Sequence, residues 1–133
     1  MPKYQKPINP WSEKKAVTRS PQTWSEANIQ MYVATQALRA GYLFHADGNG
    51  ANKGRGGGNR MKLQGARAGW PDTTWILKNR IVYIELKTYV GKLSKVQSDL
   101  HERMRGLGCE VWVVFAKDGP EAWEMIEGIL CRK

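Results

Sequence analysis

The 133 residues carry 41% apolar side chains, six tryptophans and a formal charge of +9, with a pI near 9.8. This apolar content excludes a disordered chain, the lack of any roughly 20-residue apolar run excludes a transmembrane helix, and the length suits one domain with its own core. A field this positive attracts polyanions, of which nucleic acid is the commonest for a small cytoplasmic protein; charge alone equally allows a basic protein that is merely soluble.

Residues 1–22 place Pro2, Pro7, Pro10 and Pro21 among basic side chains and read as an extended arm, with 23–133 as the folded domain. The start has no apolar h-region or cleavage site, so no secretory signal and a cytoplasmic location, bacterial or in a phage-infected cell, are expected. In that compartment Cys109 and Cys131 are expected as free thiols. Thr23 is placed to cap a helix, with Glu26 three residues on as in a capping box. Ile29, Val33 and Ala37 follow at helical spacing to about Ala40, where Gly41 is the stop. Tyr42 to Ala46 is apolar enough for a short strand.

From Asp47 to Gly69 the chain holds eight glycines with Lys53, Arg55, Arg60, Lys62 and Arg67. This reads as a long cationic loop whose charge suits phosphate contact; its GRGGG run lacks the lysine and Ser/Thr of a nucleotide P-loop. Two strands follow, about Thr73 to Leu77 and Ile81 to Tyr89, joined tightly as a hairpin. In the second, Val82, Ile84 and Leu86 alternate with Ile81, Tyr83, Glu85 and Lys87. Ser94 caps the next helix with Gln97 as reciprocal partner; Val96, Leu100, Met104 and Leu107 are its expected buried stripe, and Gly106 and Gly108 end it. Val111 to Ala116 is a near-continuous apolar run, expected to be covered on both faces and parallel to its predecessor across the helical crossover. Asp118 and Pro120 open a last helix through Trp123, Ile126 and Leu130.

Glu85 and Lys87 are two apart on a strand and so share a face, and the neighbouring strand begins at Asp72. Two carboxylates with the Leu86 carbonyl between them form a partial oxygen shell of the kind Mg²⁺ takes, while Lys87 could orient a water or stabilise phosphoryl charge. Taken singly, Pro71-Asp72 is an ordinary turn and Glu85-Leu86-Lys87 an ordinary solvated strand face; their conjunction at hairpin spacing, behind a cationic loop, points to phosphodiester hydrolysis.

The stretch from Gly65 to Phe115 resembles the core of the VRR-NUC domains, virus-type replication-repair nucleases of the PD-(D/E)XK superfamily. The resemblance rests on Gly69-Trp70-Pro71-Asp72, then Glu85-Leu86-Lys87, then Gly91-Lys92-Leu93-Ser94 with Gln97. It implies an α/β fold with a restriction-endonuclease-like αβββαβ core, a mixed central sheet flanked by helices, here with a C-terminal helix added. It further implies an Mg²⁺-dependent endonuclease, with Mn²⁺ as substitute, that cuts DNA, often branched DNA such as four-way (Holliday) junctions, and often acts as a homodimer. Carried over, Asp72 and Glu85 are metal ligands with the Leu86 carbonyl, Lys87 is the catalytic lysine, and Glu26 faces the metal directly or through water, although its position also suits a capping-box glutamate. Gln97 falls near the active site and also where a cap partner of Ser94 would stand. Lys92 and Ser94 join the loop cations as DNA contacts. His101 reads as a surface or packing residue, and Trp70 and Trp75 as core or edge aromatics. A homodimer would use the proline-rich arm or the Trp123 helix. Two other functions stay open: a non-catalytic basic nucleic-acid-binding module, and an RNA-processing nuclease on the same fold, since no base-reading motif is present.

Overall fold

The computed structural model describes residues 23–47 and 63–132. Its elements are α1 (Glu26–Ala40), β1 (Leu43–Ala46), β2 (Thr73–Leu77), β3 (Arg80–Thr88), α2 (Lys95–Gly106), β4 (Glu110–Ala116) and α3 (Gly119–Leu130). The expected αβββαβ order with a terminal helix is present, on a mixed four-stranded sheet ordered β1-β2-β3-β4. The proposed arm and most of the glycine-rich loop, with Lys53, Arg55, Arg60 and Lys62, lie outside the described residues. Among the described residues no helix is long and apolar enough to cross a membrane, and both cysteines are free. The chain forms two compact units, one containing α1, Leu86–Val90 and the chain from Val114 onward, the other Leu43–Glu85 and Gly91–Val113.

In the first unit α1 packs against α3. Ile29, Tyr32, Val33 and Ala37 recur every three to four residues and are buried, each large apolar member contributing about 1.5–3 kcal/mol by leaving water. The cap differs from expectation. Ser25, not Thr23, is the N-cap, its hydroxyl accepting from the Asn28 N–H at 3.1 Å, so Glu26 is the first helical residue and cannot be a capping-box glutamate. At the other end Gly41, at φ 80°, turns its N–H back to Ala37 and Leu38, as expected of a glycine stop. α3 opens as predicted, Asp118 accepting from the Glu121 N–H at 2.9 Å with a proline in the first turn.

The second unit is built on the β1–β2–β3 meander. Thr73 pairs with Ile84 and Leu77 with Arg80, leaving Lys78 and Asn79 as a two-residue turn in which Asn79 takes φ 58°. Trp75 is wholly buried; it stacks on Phe44 at 4.9 Å and donates its indole N–H to the Thr73 hydroxyl, which donates to the Ile84 carbonyl at 2.8 Å. Those bonds pin the register of β2 on β3. Arg80 makes a bidentate pair with Glu110 at 2.8 and 2.6 Å, a geometry stronger than a single-point ion pair. Leu100, Met104 and Val111 form a core cluster with Trp70, Tyr83 and Cys109 against it.

Two expectations of burial fail. Val96 and Leu107 are exposed, and the buried face of α2 is Leu100, His101 and Met104, rotated toward a polar residue. β4 is last in the sheet, so it is covered less than its apolar sequence suggested: Val111, Val114 and Ala116 are buried while Phe115 is 38% exposed.

A Cβ on Gly119 would stand 2.4 Å from the Tyr32 ring, whereas one on Gly128 of the same helix would meet nothing within 4 Å. Gly119→Ala should therefore lower unfolding free energy by about 1–3 kcal/mol through overpacking. Gly128→Ala should raise it by up to about 1 kcal/mol through helix propensity. Denaturant titration of the two variants checks both signs.

Candidate active site

The ladder between β2 and β3 positions the acidic residues. Thr73 faces Ile84, so one step further Asp72 takes the register position opposite Glu85. Directly opposed residues on an antiparallel pair lie on the same face with Cα atoms about 4.5–5.5 Å apart. Asp72 is tied there by its carbonyl, which accepts from the Asp47 N–H at 2.7 Å, and by Pro71, which is buried before it. Like charges directly opposed on a sheet repel, so the row asks for a cation or for donors to balance it.

Glu85 is buried, at 2% exposure, although strand alternation put it on the polar face. Its neighbours come from α2, where Gln97 and His101 are four apart and so share one side of the helix. Gln97 Nε2 lies 3.4 Å from Glu85 Oε1, and His101 Nε2 lies 3.7 Å from the same oxygen. The capping box is present as predicted: the Ser94 hydroxyl accepts from the Gln97 N–H at 3.1 Å, and Gln97 Oε1 accepts from the Ser94 N–H at 2.9 Å. The cap expected of Gln97 is thus made by its amide oxygen, while its amide nitrogen faces Glu85. His101, expected at the surface or in packing, is wholly buried one turn after Gln97.

Gly69 explains the start of the Gly-X-Pro-Asp motif. Its φ is +84°, and a Cβ there would come within 2.9 Å of the Val96 carbonyl and 3.1 Å of the Gln97 backbone. The segment leading to Asp72 thus lies directly on the first turn of α2. Trp70, as expected, is a partly buried aromatic, edge-on to Tyr83 at 5.8 Å.

Lys87 stands two residues beyond Glu85 on β3. Within its own unit its ammonium is 3.5 Å from a Glu26 carboxylate oxygen, and its side chain is only 12% exposed. The structure therefore places Glu26 beside the lysine. Arg67 and Lys92 are exposed, and the Ser94 hydroxyl is engaged in the cap.

Among the described residues no group of three or more His, Cys, Asp or Glu side chains could hold a metal. Two carboxylates nevertheless fit Mg²⁺ or Mn²⁺ chemically: both are hard oxygen donors, and Mg²⁺ is characteristically held by one or two carboxylates with waters filling its shell.

No family model matches the sequence, and no curated protein matches it. Solved structures do. One described as a "VRR_NUC domain protein" superposes with a TM-score of 0.63 at 17% identity, covering 80% of this chain and 88% of that one. The chain has the fold of a VRR-NUC domain. A second, described as a "VRR_NUC domain", gives a TM-score of 0.52 at 25% identity over 77% of this chain and 94% of that one. The VRR-NUC fold belongs to a nuclease domain family.

Gln97→Ala should cost about 1 kcal/mol through the lost cap. Gln97→Glu keeps an acceptor for the Ser94 N–H but sets a second carboxylate against buried Glu85, so at neutral pH it should cost about 1–3 kcal/mol more than Gln97→Ala. This repulsion exists only while both carboxylates are ionised, so the extra loss should shrink as pH falls through the carboxylate range. Urea midpoints at neutral and mildly acidic pH test the order and its pH dependence.

Proposed function

We propose that the protein is a metal-dependent, structure-selective DNA endonuclease that hydrolyses phosphodiester bonds in branched DNA, such as four-way junctions. The observation that carries this reading is the register that sets Asp72 opposite buried Glu85 on a VRR-NUC fold. In this reading Asp72, Glu85 and the Leu86 carbonyl hold Mg²⁺. When bound, that ion would lower the pKa of a water and neutralise charge developing on the phosphoryl group. Lys87, on the same face of β3 by strand alternation, supplies a positive charge to the scissile phosphate, and its pairing with Glu26 restricts the rotamers of a long side chain. Gln97 holds the Glu85 carboxylate from the helix side.

The net charge of +9 supports a polyanionic substrate, with Arg67 and Lys92 exposed and Lys53, Arg55, Arg60 and Lys62 earlier in the same glycine-rich stretch of sequence. Paired cuts across a symmetric junction favour a two-fold homodimer, whose isologous interface supplies two equivalent sites.

Asp72→Asn should abolish cleavage and leave DNA binding equal to or tighter than that of the parent. The amide keeps the shape but removes the charge that holds the cation, and it relieves repulsion where phosphate must sit. The assay is nicking of a junction in Mg²⁺ and in Mn²⁺, beside a gel shift in Ca²⁺, on protein whose fold is confirmed by circular dichroism. Cleavage within about threefold of the parent would remove Asp72 from the site, because a tenfold loss corresponds to only about 1.4 kcal/mol. An RNA version of the same junction cut equally well would redirect the assignment to RNA.

Affinity should also fall steeply with salt, by a log-log slope of about −0.9 per phosphate contact. Neutralising Lys53, Arg55 and Arg60 together should flatten that slope by about two to three. An unchanged slope and affinity would place the DNA elsewhere.

A further inference from the structure

His101 is a buried polar group beside Glu85 to which the proposed reaction gives no task. It is 0% exposed, on a helix face otherwise made of Leu100 and Met104, where an apolar side chain would avoid burying two polar nitrogens. Its Nε2 is turned to Glu85 Oε1 at 3.7 Å, and Gln97 Nε2 reaches the same oxygen at 3.4 Å from one turn earlier. Two nitrogens from one helix thus address one oxygen of one carboxylate.

We infer that His101 is a positioning residue for the metal-binding carboxylate of Glu85: with Gln97 it holds Oε1 from α2 and so fixes the orientation in which the carboxylate would meet the cation. The inference rests on the metal-dependent reading proposed above and deepens it. With the proton on Nε2 the imidazole donates toward Oε1, and the pair needs to close by only a fraction of an ångström to reach hydrogen-bond length. Hydrogen bonds around active sites commonly tighten in this way once the site is filled. Groups that hold a ligating carboxylate set its orientation and basicity, and their loss typically costs about 10–100-fold in metal affinity or activity.

The test is calorimetric titration with Mn²⁺, without DNA, of the full chain and of Glu85→Gln, His101→Leu and His101→Gln. His101→Leu should weaken Mn²⁺ binding by about tenfold or more, and His101→Gln, which keeps a donor, should stay within about threefold of the parent. The Mn²⁺ concentration for half-maximal cleavage should move by the same factor, with KM for DNA unchanged. Parental Mn²⁺ affinity in His101→Leu, with binding lost in Glu85→Gln, would sink this inference alone. Equal Mn²⁺ binding by the parent and Glu85→Gln, or none by either, would sink the metal reading and this inference with it.

A measurement on the unsubstituted protein covers the case in which His101→Leu does not fold. The chain has only two histidines, His45 and His101, so the imidazole nitrogens in a ¹⁵N spectrum are readily told apart. Addition of Mg²⁺ should shift the His101 Nε2 resonance and leave exposed His45 in place. An unmoved His101 resonance, under conditions where Mn²⁺ binding is measured, would overturn the assignment.

Discussion

A carboxylate at 2% exposure sets the terms for the second structural unit. Removing a charge from water costs several kcal/mol unless donors or a counter-charge surround it, so everything near Glu85 is constrained by where such groups can stand. The helix α2 brings Gln97 and His101, and it can do so only because its first turn is fixed by the reciprocal Ser94–Gln97 cap and approached closely at Gly69. The same approach delivers the chain to Pro71 and Asp72. Cap, glycine and acidic row are therefore one mechanical arrangement rather than three separate motifs.

Much of this was legible because each signal had a local physical cause. Hairpin spacing located β2 and β3, and Ser94 with Gln97 marked a capping box whatever the helix packs against. The failures have causes too. Thr23 with Glu26 fits a capping box as letters, but Ser25 can cap equally well, and the choice depends on where the chain enters α1. On α2 a hydrophobic count put Val96 and Leu107 inside, because counting cannot reward a histidine that is buried to meet a carboxylate. Glu85 was assigned the right face of β3 by alternation; its burial was invisible because it depends on α2, ten residues further along the chain.

The pairing of Glu26 with Lys87 gives the start of the first helix a specific partner within its own unit. A helix N-terminus carries partial positive charge, which favours an acidic residue in its first turn, and Glu26 satisfies that while presenting an oxygen 3.5 Å from the ammonium. Glu26 is the first helical residue and not a capping-box member, so that cap does not compete for its side chain. Its carboxylate is at the disposal of Lys87, and the ion pair, only partly exposed, is less screened than a surface pair.

The two ends of Gln97 then link the helix start to the buried carboxylate in a specific way. An amide has a distinct oxygen and nitrogen, and here the oxygen faces the Ser94 N–H while the nitrogen faces Glu85. If the amide turned over, its nitrogen would meet a donor and its oxygen a carboxylate, two repulsive contacts in place of two favourable ones. The cap therefore dictates which atom Glu85 encounters. Neither an ionised glutamate nor an apolar residue can provide both an acceptor for the helix and a donor for the acid, so at neutral pH the position favours glutamine by two demands that come from opposite sides. A residue held in that way transmits the geometry of the helix start to the carboxylate, and this is how an exposed cap comes to matter for a buried acid.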